Sequence, residues 1–204
     1  MPTKARRQTE RGLRTRKAIM DAATDLVCQH GYSGTSIDMV CSRAKVVKTA
    51  LYWHFGSKAG LMAALIDSAQ ELWVDAIAMH VDEAESPLER LERLLSSLKN
   101  IIVERSHLLR LVEVVISEEK NLDADVFEAV KRLSQRTGEA IERGFALSLG
   151  QELPSGKFLA HTITSLLHGI HRHHLLFKDD IDIDEFFYDM KRTILASVQE
   201  RLSR

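Results

Sequence analysis

The stretch that decides the fold is TSIDMVCSRAKVVKTALYWHFGSK, residues 35–58. It predicts a short helix that begins at Thr35 or Ser36, where a hydroxyl can cap free backbone N–H groups. Asp38 lies in the first turn, where an acidic side chain favours a helix start. The apolar residues of this helix recur at helical spacing and are Ile37, Val40 and Cys41.

A second short helix follows after a turn at residues 44–46. It is predicted over residues 47–55, because Gly56 suits a helix C-terminal stop and Ser57 can cap the next helix. Two short helices joined by a tight turn predict a helix-turn-helix motif. The polar and aromatic residues of the second helix are typical of a DNA-reading helix and are Lys48, Thr49, Tyr52, Trp53 and His54.

Residues 14–65 resemble the DNA-binding domain of the TetR family of bacterial transcriptional regulators. The resemblance is specific because the run LYWHFGSK, residues 51–58, stands at the family's distance after Gly31-Tyr32 and Thr35-Ser36. The other residues that carry it are Ala22, Ala23, Leu26, Val27, His30, Val40, Ala44, Val46 and Lys48. We therefore expect an all-α protein of about nine helices, with an N-terminal three-helix DNA-binding domain and a C-terminal helical ligand-binding and dimerisation domain.

Three residues depart from the family pattern. Lys45 stands where the family usually has Gly, Val47 where it has Ser, and Thr49 where it has Gly or Pro. A positive φ at Lys45 costs about 1 kcal/mol for a residue with a Cβ. Val47 has no side-chain oxygen to cap the second helix, which forfeits about 1 kcal/mol. Base-reading details of the family therefore do not carry over to these positions.

Charge is divided unevenly along the 204 residues, although the formal net charge is only −1. Residues 1–61 contain 11 basic and 4 acidic side chains, whereas residues 62–204 contain 17 basic and 25 acidic ones. A basic first third on an acidic remainder is the electrostatic pattern of a nucleic-acid-binding domain. We divide the chain into a basic arm (1–12), a DNA-binding domain (13–60, with the helix-turn-helix at about 36–55) and a ligand-binding and dimerisation domain (61–204).

Two absences bear on the compartment. The two cysteines, Cys28 and Cys41, fall on apolar helical faces and predict core thiols rather than disulfides, which suits a reducing cytosol. The sequence contains no signal-peptide pattern and no long uncharged apolar run. We therefore expect a cytoplasmic protein with no membrane partner.

Helical periodicity extends through most of the chain, which has only three prolines. It predicts a first helix from about Arg14 to His30, ending at Gly31, and a fourth helix that crosses the domain boundary. The predicted helices after the motif cover Lys58 to about Val81, a segment from Pro87 to about Val103, Leu108–Glu119, Ala124–Leu149, Ser155–Phe177 and Asp184–Arg201.

The DNA contacts are predicted from the motif and from the basic residues before it. The arm and first helix, including Arg14, either contact phosphates and the minor groove or form a solvated tail. Thr35 and Ser36 lie at a helix N-terminus, where they can hold a phosphate as well as cap the helix. The resemblance implies phosphate contacts by residues matching Tyr52, His54 and Lys58. The candidates for base contacts are Lys45, Lys48, Thr49 and, against a thymine methyl, Ala50. Trp53 is left open between DNA contact and core packing, and Phe55 is assigned to the core.

The resemblance also implies a homodimer on palindromic double-stranded operator DNA, with the last two helices of each subunit forming the seam. Their apolar residues are too numerous, on this interpretation, to be hidden within one small subunit. The two reading helices would then lie about 34–36 Å apart. The predicted interface residues are Ile163, Leu166, Leu167, Ile170, His171, His174, Phe187, Met190 and Ile194.

A small-molecule effector of unidentified chemistry is implied as a third partner. In the family it is held among helices 4 to 8, and its binding shifts helix 4 and moves the reading helices out of register, which couples two distinct sites. The candidate contact residues are Trp73, Ile77, His107, Arg110, Leu111, Glu113, Phe127, Phe145 and Phe158.

Five histidines on one predicted helix leave a further alternative open. They are His161, His168, His171, His173 and His174. Spacings of three residues can hold a metal, but no Cys, Asp or Glu on that helix completes a ligand set. Interface packing, capping and a pH-sensitive contact are the other interpretations. No cofactor and no metal site are predicted. The rival functions are a helical metal-dependent enzyme that uses these histidines and a ligand-independent architectural or activating DNA-binding protein.

Overall fold

The computed structural model describes residues 4–78, 86–104, 106–152, 154–177 and 182–203. In this part of the chain the fold is all-α, with nine α-helices, one 3₁₀ turn and no strand, which confirms the predicted fold class. The helices are α1 Lys4–Gly34, α2 Ile37–Ala44, α3 Lys48–Phe55, α4 Lys58–Ala78, α5 Pro87–Glu104, α6 Ser106–Ser117, α7 Ala124–Leu149, α8 Gly156–Leu176 and α9 Ile183–Leu202, with the 3₁₀ turn at Glu119–Asn121 between α6 and α7.

The first helix is longer than predicted. It begins at Lys4 rather than near Arg14, so residues 4–12 of the predicted arm are helical. The added stretch contains no proline and consists mostly of good helix formers, so extending an existing helix through it requires little free energy. At its other end the helical path breaks at Gly31 (φ 77°, ψ 171°), which confirms the predicted end.

The later helices follow the predicted pattern closely. Helix α7 has the predicted bounds and is followed by Gly150 with a φ of +69°. Helix α6 begins two residues before the predicted Leu108 and ends at Ser117. The predicted end of helix 4 near Val81 and most of the acidic turn at residues 179–184 lie outside the described residues.

The chain forms two compact units. The first comprises residues 1–69 and 110–132, and the second comprises residues 70–109 and 133–204. Helices α4, α6 and α7 contribute residues to both. The first unit therefore contains more than the predicted DNA-binding domain, because it includes the second half of α6, the 3₁₀ turn and the start of α7. The fully buried apolar side chains of the first unit include Ile19, Leu51, Ile66 and Leu111, and those of the second include Leu94, Ile102, Ile141, Phe145 and Ile163.

In the described ranges, no helix combines the length and the apolar character needed to span a lipid bilayer.

Candidate nucleic-acid interface

At the start of α2, the hydroxyls of Thr35 and Ser36 lie in different environments, although the sequence predicted the same roles for both. Ser36 Oγ accepts the Met39 N–H at 3.2 Å, which confirms the predicted helix cap, and the Ser36 side chain is exposed. Thr35 is buried, and its hydroxyl donates to the Gly31 carbonyl at 2.8 Å. Of the two predicted phosphate contacts, only Ser36 therefore lies on the surface.

The turn between α2 and α3 has the predicted backbone strain. Lys45 adopts a left-handed conformation with φ 55° and ψ 45°. Its N–H donates to the Ser42 carbonyl at 3.3 Å, and the next N–H, of Val46, donates to the Cys41 carbonyl at 3.0 Å. Val47 precedes α3 without a side-chain cap. The departures at Lys45 and Val47 therefore leave the geometry of the motif unchanged but lower the stability of the protein.

Lys45→Gly should stabilise the protein by about 1 kcal/mol, because glycine adopts this φ without the steric cost of a Cβ. Urea unfolding at fixed protein concentration measures the change. The matched control is Lys131→Gly, at an exposed position inside α7, which should lose about 1 kcal/mol. A loss of stability at position 45 would contradict the assigned strain.

Helix α3 presents a polar and aromatic face to solvent. Leu51 is fully buried and anchors the helix in the first unit, while Tyr52 is half exposed. Trp53 is 79% exposed, with its ring edge-on to the His54 ring at 4.6 Å, so it is a surface residue rather than part of the core. Phe55 is half-buried beneath the Arg16 guanidinium. The residues that the structure brings together on this exposed helix are Lys48, Thr49, Tyr52 and Trp53, with Lys45 exposed in the turn before it and Ala50 and His54 half-buried.

Two surface ion pairs connect α2 to the neighbouring helices α3 and α1. The Lys48 ammonium lies 2.6 Å from the Asp38 carboxylate of α2, and this hydrogen bond raises the pKa of Lys48. Lys48 therefore carries its charge at neutral pH and is held by the Asp38 carboxylate in the free protein. Arg43 of α2 pairs with Asp25 of α1 at 2.8 Å. Arg14 is exposed and lies 3.8 Å from Glu10.

Lys58 points to a different part of the first unit. Its ammonium stands 4.2 Å from the centroid of the Tyr32 ring, and the side chain is half-buried. Burial lowers the pKa of Lys58, and the nearby charges of Asp123 and Glu118 oppose that shift. Lys58 is therefore engaged inside the protein, and the structure does not group it with the exposed residues of α3.

Sequence reasoning missed two acidic residues that hold the end of α1. Glu118 accepts the Tyr32 N–H at 2.7 Å through Oε1 and the Ser33 N–H at 2.8 Å through Oε2. Asp123 accepts a short hydrogen bond from the Tyr32 hydroxyl. We call Tyr32, Glu118 and Asp123 the carboxylate clamp. The sequence analysis used Gly31 and Tyr32 only as a helix end and as part of the family pattern, and no local pattern identifies partners about 90 residues away in the chain.

The hydrogen bonds of the carboxylate clamp set its pH response. Burial raises the pKa of Glu118, but hydrogen bonds from Ser33 and Tyr32 outweigh it, so the pKa lies below its usual range. A lowered pKa means that Glu118 contributes stability above its unfolded-state pKa and loses it as the pH falls through the folded-state value. The two hydrogen bonds to Glu118 are therefore present at neutral pH and are lost as the pH falls into the acid range.

The predicted effector residues divide between core and surface. Leu111 and Phe145 are fully buried, whereas Phe127 and Phe158 are exposed. His107 and Arg110 are exposed and Glu113 is half-buried, and the side chains of Trp73 and Ile77 lie outside the described residues. Helical periodicity identified positions on these helices but not which positions share a cavity.

Most predicted dimer residues are buried within their own subunit. Helix α5 packs against both α8 and α9 and covers part of their apolar surface. The sequence analysis expected these apolar residues to be too numerous for one subunit to bury, but most of them are buried in a single chain. Leu166 remains 39% exposed and His174 is half-buried. The buried ones are Ile163, Leu167, Ile170, His171, Phe187, Met190 and Ile194.

An apolar groove of about 490 Å³ remains between α8 and α9. Leu166, Ile170, Phe186 and Met190 form its apolar lining. Its other lining residues are Asp182, Glu185, Asp189 and Thr193. This groove, which we call the α8–α9 groove, marks the part of the predicted seam that stays open in one subunit.

The histidines of α8 lie in different local environments. His171 is fully buried, whereas the His173 ring packs against the rings of Phe177 and Phe186 at 5.6 and 6.2 Å. The His161 ring approaches Gly138 of α7. Among the residues that the structure describes, no three His, Cys, Asp or Glu side chains are placed to hold a metal ion.

Comparison with known proteins agrees with this geometry. Residues 19–65 match the domain described as "Bacterial regulatory proteins, tetR family". Over 187 residues the chain is 27% identical to the HTH-type transcriptional regulator TtgR of Pseudomonas putida, an alignment covering 87% of this chain and 88% of TtgR. TtgR is named as a transcriptional regulator and not as an enzyme.

Two solved structures share the fold. The SmeT–triclosan complex superposes with a TM-score of 0.72 at 22% identity, covering 90% of each chain. AibR in complex with isovaleryl coenzyme A and operator DNA superposes with a TM-score of 0.65 at 20% identity, covering 87% of this chain and 96% of AibR. At these identities the likeness establishes the fold alone.

Proposed function

Since this chain belongs to the TetR family of bacterial regulatory proteins, we propose that it is a homodimeric repressor that a small-molecule effector releases from a palindromic operator. The observation that carries the proposal is the exposed face of α3, where Trp53 and Tyr52 lie in solvent beside Lys48 while Leu51 fixes the helix in the core. Exposed aromatic and basic side chains on a rigid short helix are suited to the major groove.

We assign residues of α1, α2 and α3 to different kinds of DNA contact. Lys48 and Thr49 contact base edges, while Tyr52 and Ser36 contact phosphates. The exposed basic residues of α1, such as Arg14, add salt-dependent affinity that does not depend on sequence. We leave Thr35 and Lys58 out of the direct contacts, because both are engaged within the protein. Lys45, Ala50, Trp53 and His54 remain candidates at the edge of the interface.

The second unit is proposed to pair with a second copy and to bind the effector. The α8–α9 groove supplies the open apolar surface for a four-helix seam between two subunits. SmeT and AibR are known in complexes with small organic molecules, and AibR also with operator DNA, which supports an organic effector here. The proposed compartment is the cytoplasm, where operator DNA is accessible.

The experiment that tests this function is selection of bound sequences from random duplex DNA by the purified full-length protein at near-physiological salt. A palindromic consensus with two half-sites is the expected result. Binding without enrichment, lost steeply as salt rises, would reduce the interface to non-specific electrostatics and refute a sequence-specific repressor.

Lys48→Ala should weaken binding to the selected operator about tenfold, because one good base contact contributes roughly 1–3 kcal/mol of discrimination. Fluorescence anisotropy measures the affinity, and sedimentation checks that the dimer is intact. Lys157→Ala, which removes an exposed lysine from α8, serves as the control and should bind as wild type. Equal affinities for the two variants would remove Lys48 from the interface.

A further inference from the structure

A single carboxylate joins the end of α6 to the turn that follows the break in α1. The backbone N–H groups of Tyr32 and Ser33 point the same way, and each donates to one oxygen of Glu118, at 2.7 and 2.8 Å. Two donors on two oxygens of one ionised group fix orientation as well as distance. Only glycine permits this approach, since a Cβ on Gly31 would lie 2.2 Å from Glu118 Oε1.

The side chain of Tyr32 makes a second attachment to the same segment. Tyr32 is buried, and its hydroxyl donates to Asp123 while the Lys58 ammonium stands over its ring. Burial and the hydrogen bond to Asp123 raise the pKa of Tyr32, so the hydroxyl keeps its proton and remains a donor. Through Tyr32, the end of α1, the first residue of α4 and residues 118–123 are bound to one another.

The turn that the carboxylate clamp holds leads without interruption into the helix-turn-helix. The Thr35 N–H donates to the Tyr32 carbonyl at 3.3 Å, and the Thr35 hydroxyl donates to the Gly31 carbonyl. Ser36 follows at once and caps α2. A movement of Glu118 is therefore passed to the first turn of α2 through a short segment that is hydrogen-bonded within itself.

We propose that Glu118 is a positioning residue for DNA binding: it holds residues 31–36 so that α2 and α3 keep the orientation that fits the major groove. This inference rests on the proposed function in one respect, that α3 is the DNA-reading helix. Helix α6, which ends one residue before Glu118, supplies residues to both units of the chain. An effector that moves α6 would thus act on DNA affinity by loosening the two Glu118 hydrogen bonds.

The test is Glu118→Gln in the full-length protein, with operator DNA obtained by selection and no effector present. The amide oxygen can accept one N–H, but the amide NH₂ faces the other donor, so one hydrogen bond is lost. We expect about a tenfold loss of operator affinity, since hydrogen bonds to charged groups are the stronger class. The slope of affinity against salt should stay unchanged, because no phosphate contact is removed. Hydrogen exchange at the Tyr32 and Ser33 amides should become faster.

Glu128→Gln is the matched control, because Glu128 is an exposed carboxylate on α7 that lies 3.7 Å from the Lys131 ammonium. It should leave affinity and amide exchange as in wild type. A second variant, Tyr32→Phe, removes the hydrogen bond to Asp123 alone and should lower affinity by a smaller factor with the same salt slope. A third variant, Glu118→Asp, keeps the charge but shortens the side chain by one methylene, so it weakens the same two hydrogen bonds and tests Glu118 itself where Glu118→Gln folds poorly.

The outcomes separate this inference from the proposed function. Failure of the wild-type protein to select a consensus would refute the repressor. A wild-type consensus together with Glu118→Gln and Tyr32→Phe affinities within twofold of wild type, or above it, would overturn only the role of Glu118. A changed salt slope would also overturn it, since that result would place Glu118 in the phosphate contacts.

Discussion

Replacing Leu166 by glutamate should convert the dimer to monomers and lower operator affinity by at least about 100-fold, because a monomer loses the gain from binding two linked half-sites. Leu166 is 39% exposed and lines the α8–α9 groove with Phe186 and Met190. A charge placed there would be buried without a partner in a seam between subunits, beside acidic groove residues that repel it. Because the side chain is partly exposed in one subunit, the monomer should stay folded.

Sedimentation velocity measures the oligomeric state, and anisotropy measures the affinity for full operator and for a single half-site. The half-site affinity should change little, since α3 is not altered. Leu147→Glu is the control: it places the same charge at an exposed leucine of α7, outside α8 and α9, and should remain dimeric. A dimer that survives Leu166→Glu would move the seam away from the α8–α9 groove.

Gly31→Ala should destabilise the protein by at least about 4 kcal/mol, the sum of the backbone strain and the two lost hydrogen bonds. The backbone there, at φ 77° and ψ 171°, lies in a region that is essentially restricted to glycine and costs roughly 1–3 kcal/mol for other residues. The added Cβ would also meet Glu118 Oε1 at 2.2 Å. The carboxylate can swing away, but it then gives up its hydrogen bonds to Tyr32 and Ser33, which contribute about 1.5–3 kcal/mol each to stability.

Chemical denaturation at one fixed protein concentration measures this loss, because dimer stability depends on concentration. Gly12→Ala provides the opposite control in the same helix. Apart from the chain neighbours and the backbone of α1, no atom of the described residues lies within 4 Å of the Cβ position at Gly12, so alanine there should stabilise the protein by roughly 0.5–1 kcal/mol through its better helix propensity. Two variants of equal stability would mean that the conformation assigned to Gly31 is wrong.

The helix-turn-helix was predictable from the sequence because most of its boundaries, though not the uncapped start of α3, have a local cause. Ser36 supplies the cap of α2, Gly56 the positive φ after α3, and Ser57 the hydroxyl that receives the Gly60 N–H. These local signals act over three or four residues, which is the range over which sequence alone is informative. The cost at Lys45 was expected only if its backbone needed a positive φ, and that expectation came from the family resemblance.

Features that depend on distant segments were not predictable in the same way. The phosphate contact expected for Lys58 stays a prediction, but the sequence did not indicate that its ammonium lies over the Tyr32 ring, near the charges of Asp123 and Glu118. The seam residues of α8 and α9 were correctly apolar, but helical periodicity does not say which neighbour covers them. Helix α5, rather than a second subunit, covers part of that surface.

The first unit is discontinuous in sequence, since residues 110–132 pack with residues 1–69. A chimera that joins a foreign sensor to this DNA-binding domain by a cut near residue 60 would follow the domain boundary predicted from the sequence. Such a cut removes Glu118 and Asp123 together with the original sensor. The DNA-binding domain then lacks the two carboxylates that hold Tyr32. A working chimera should therefore keep residues 110–132 of this chain, or use a donor that supplies carboxylates in register with Tyr32 and Ser33.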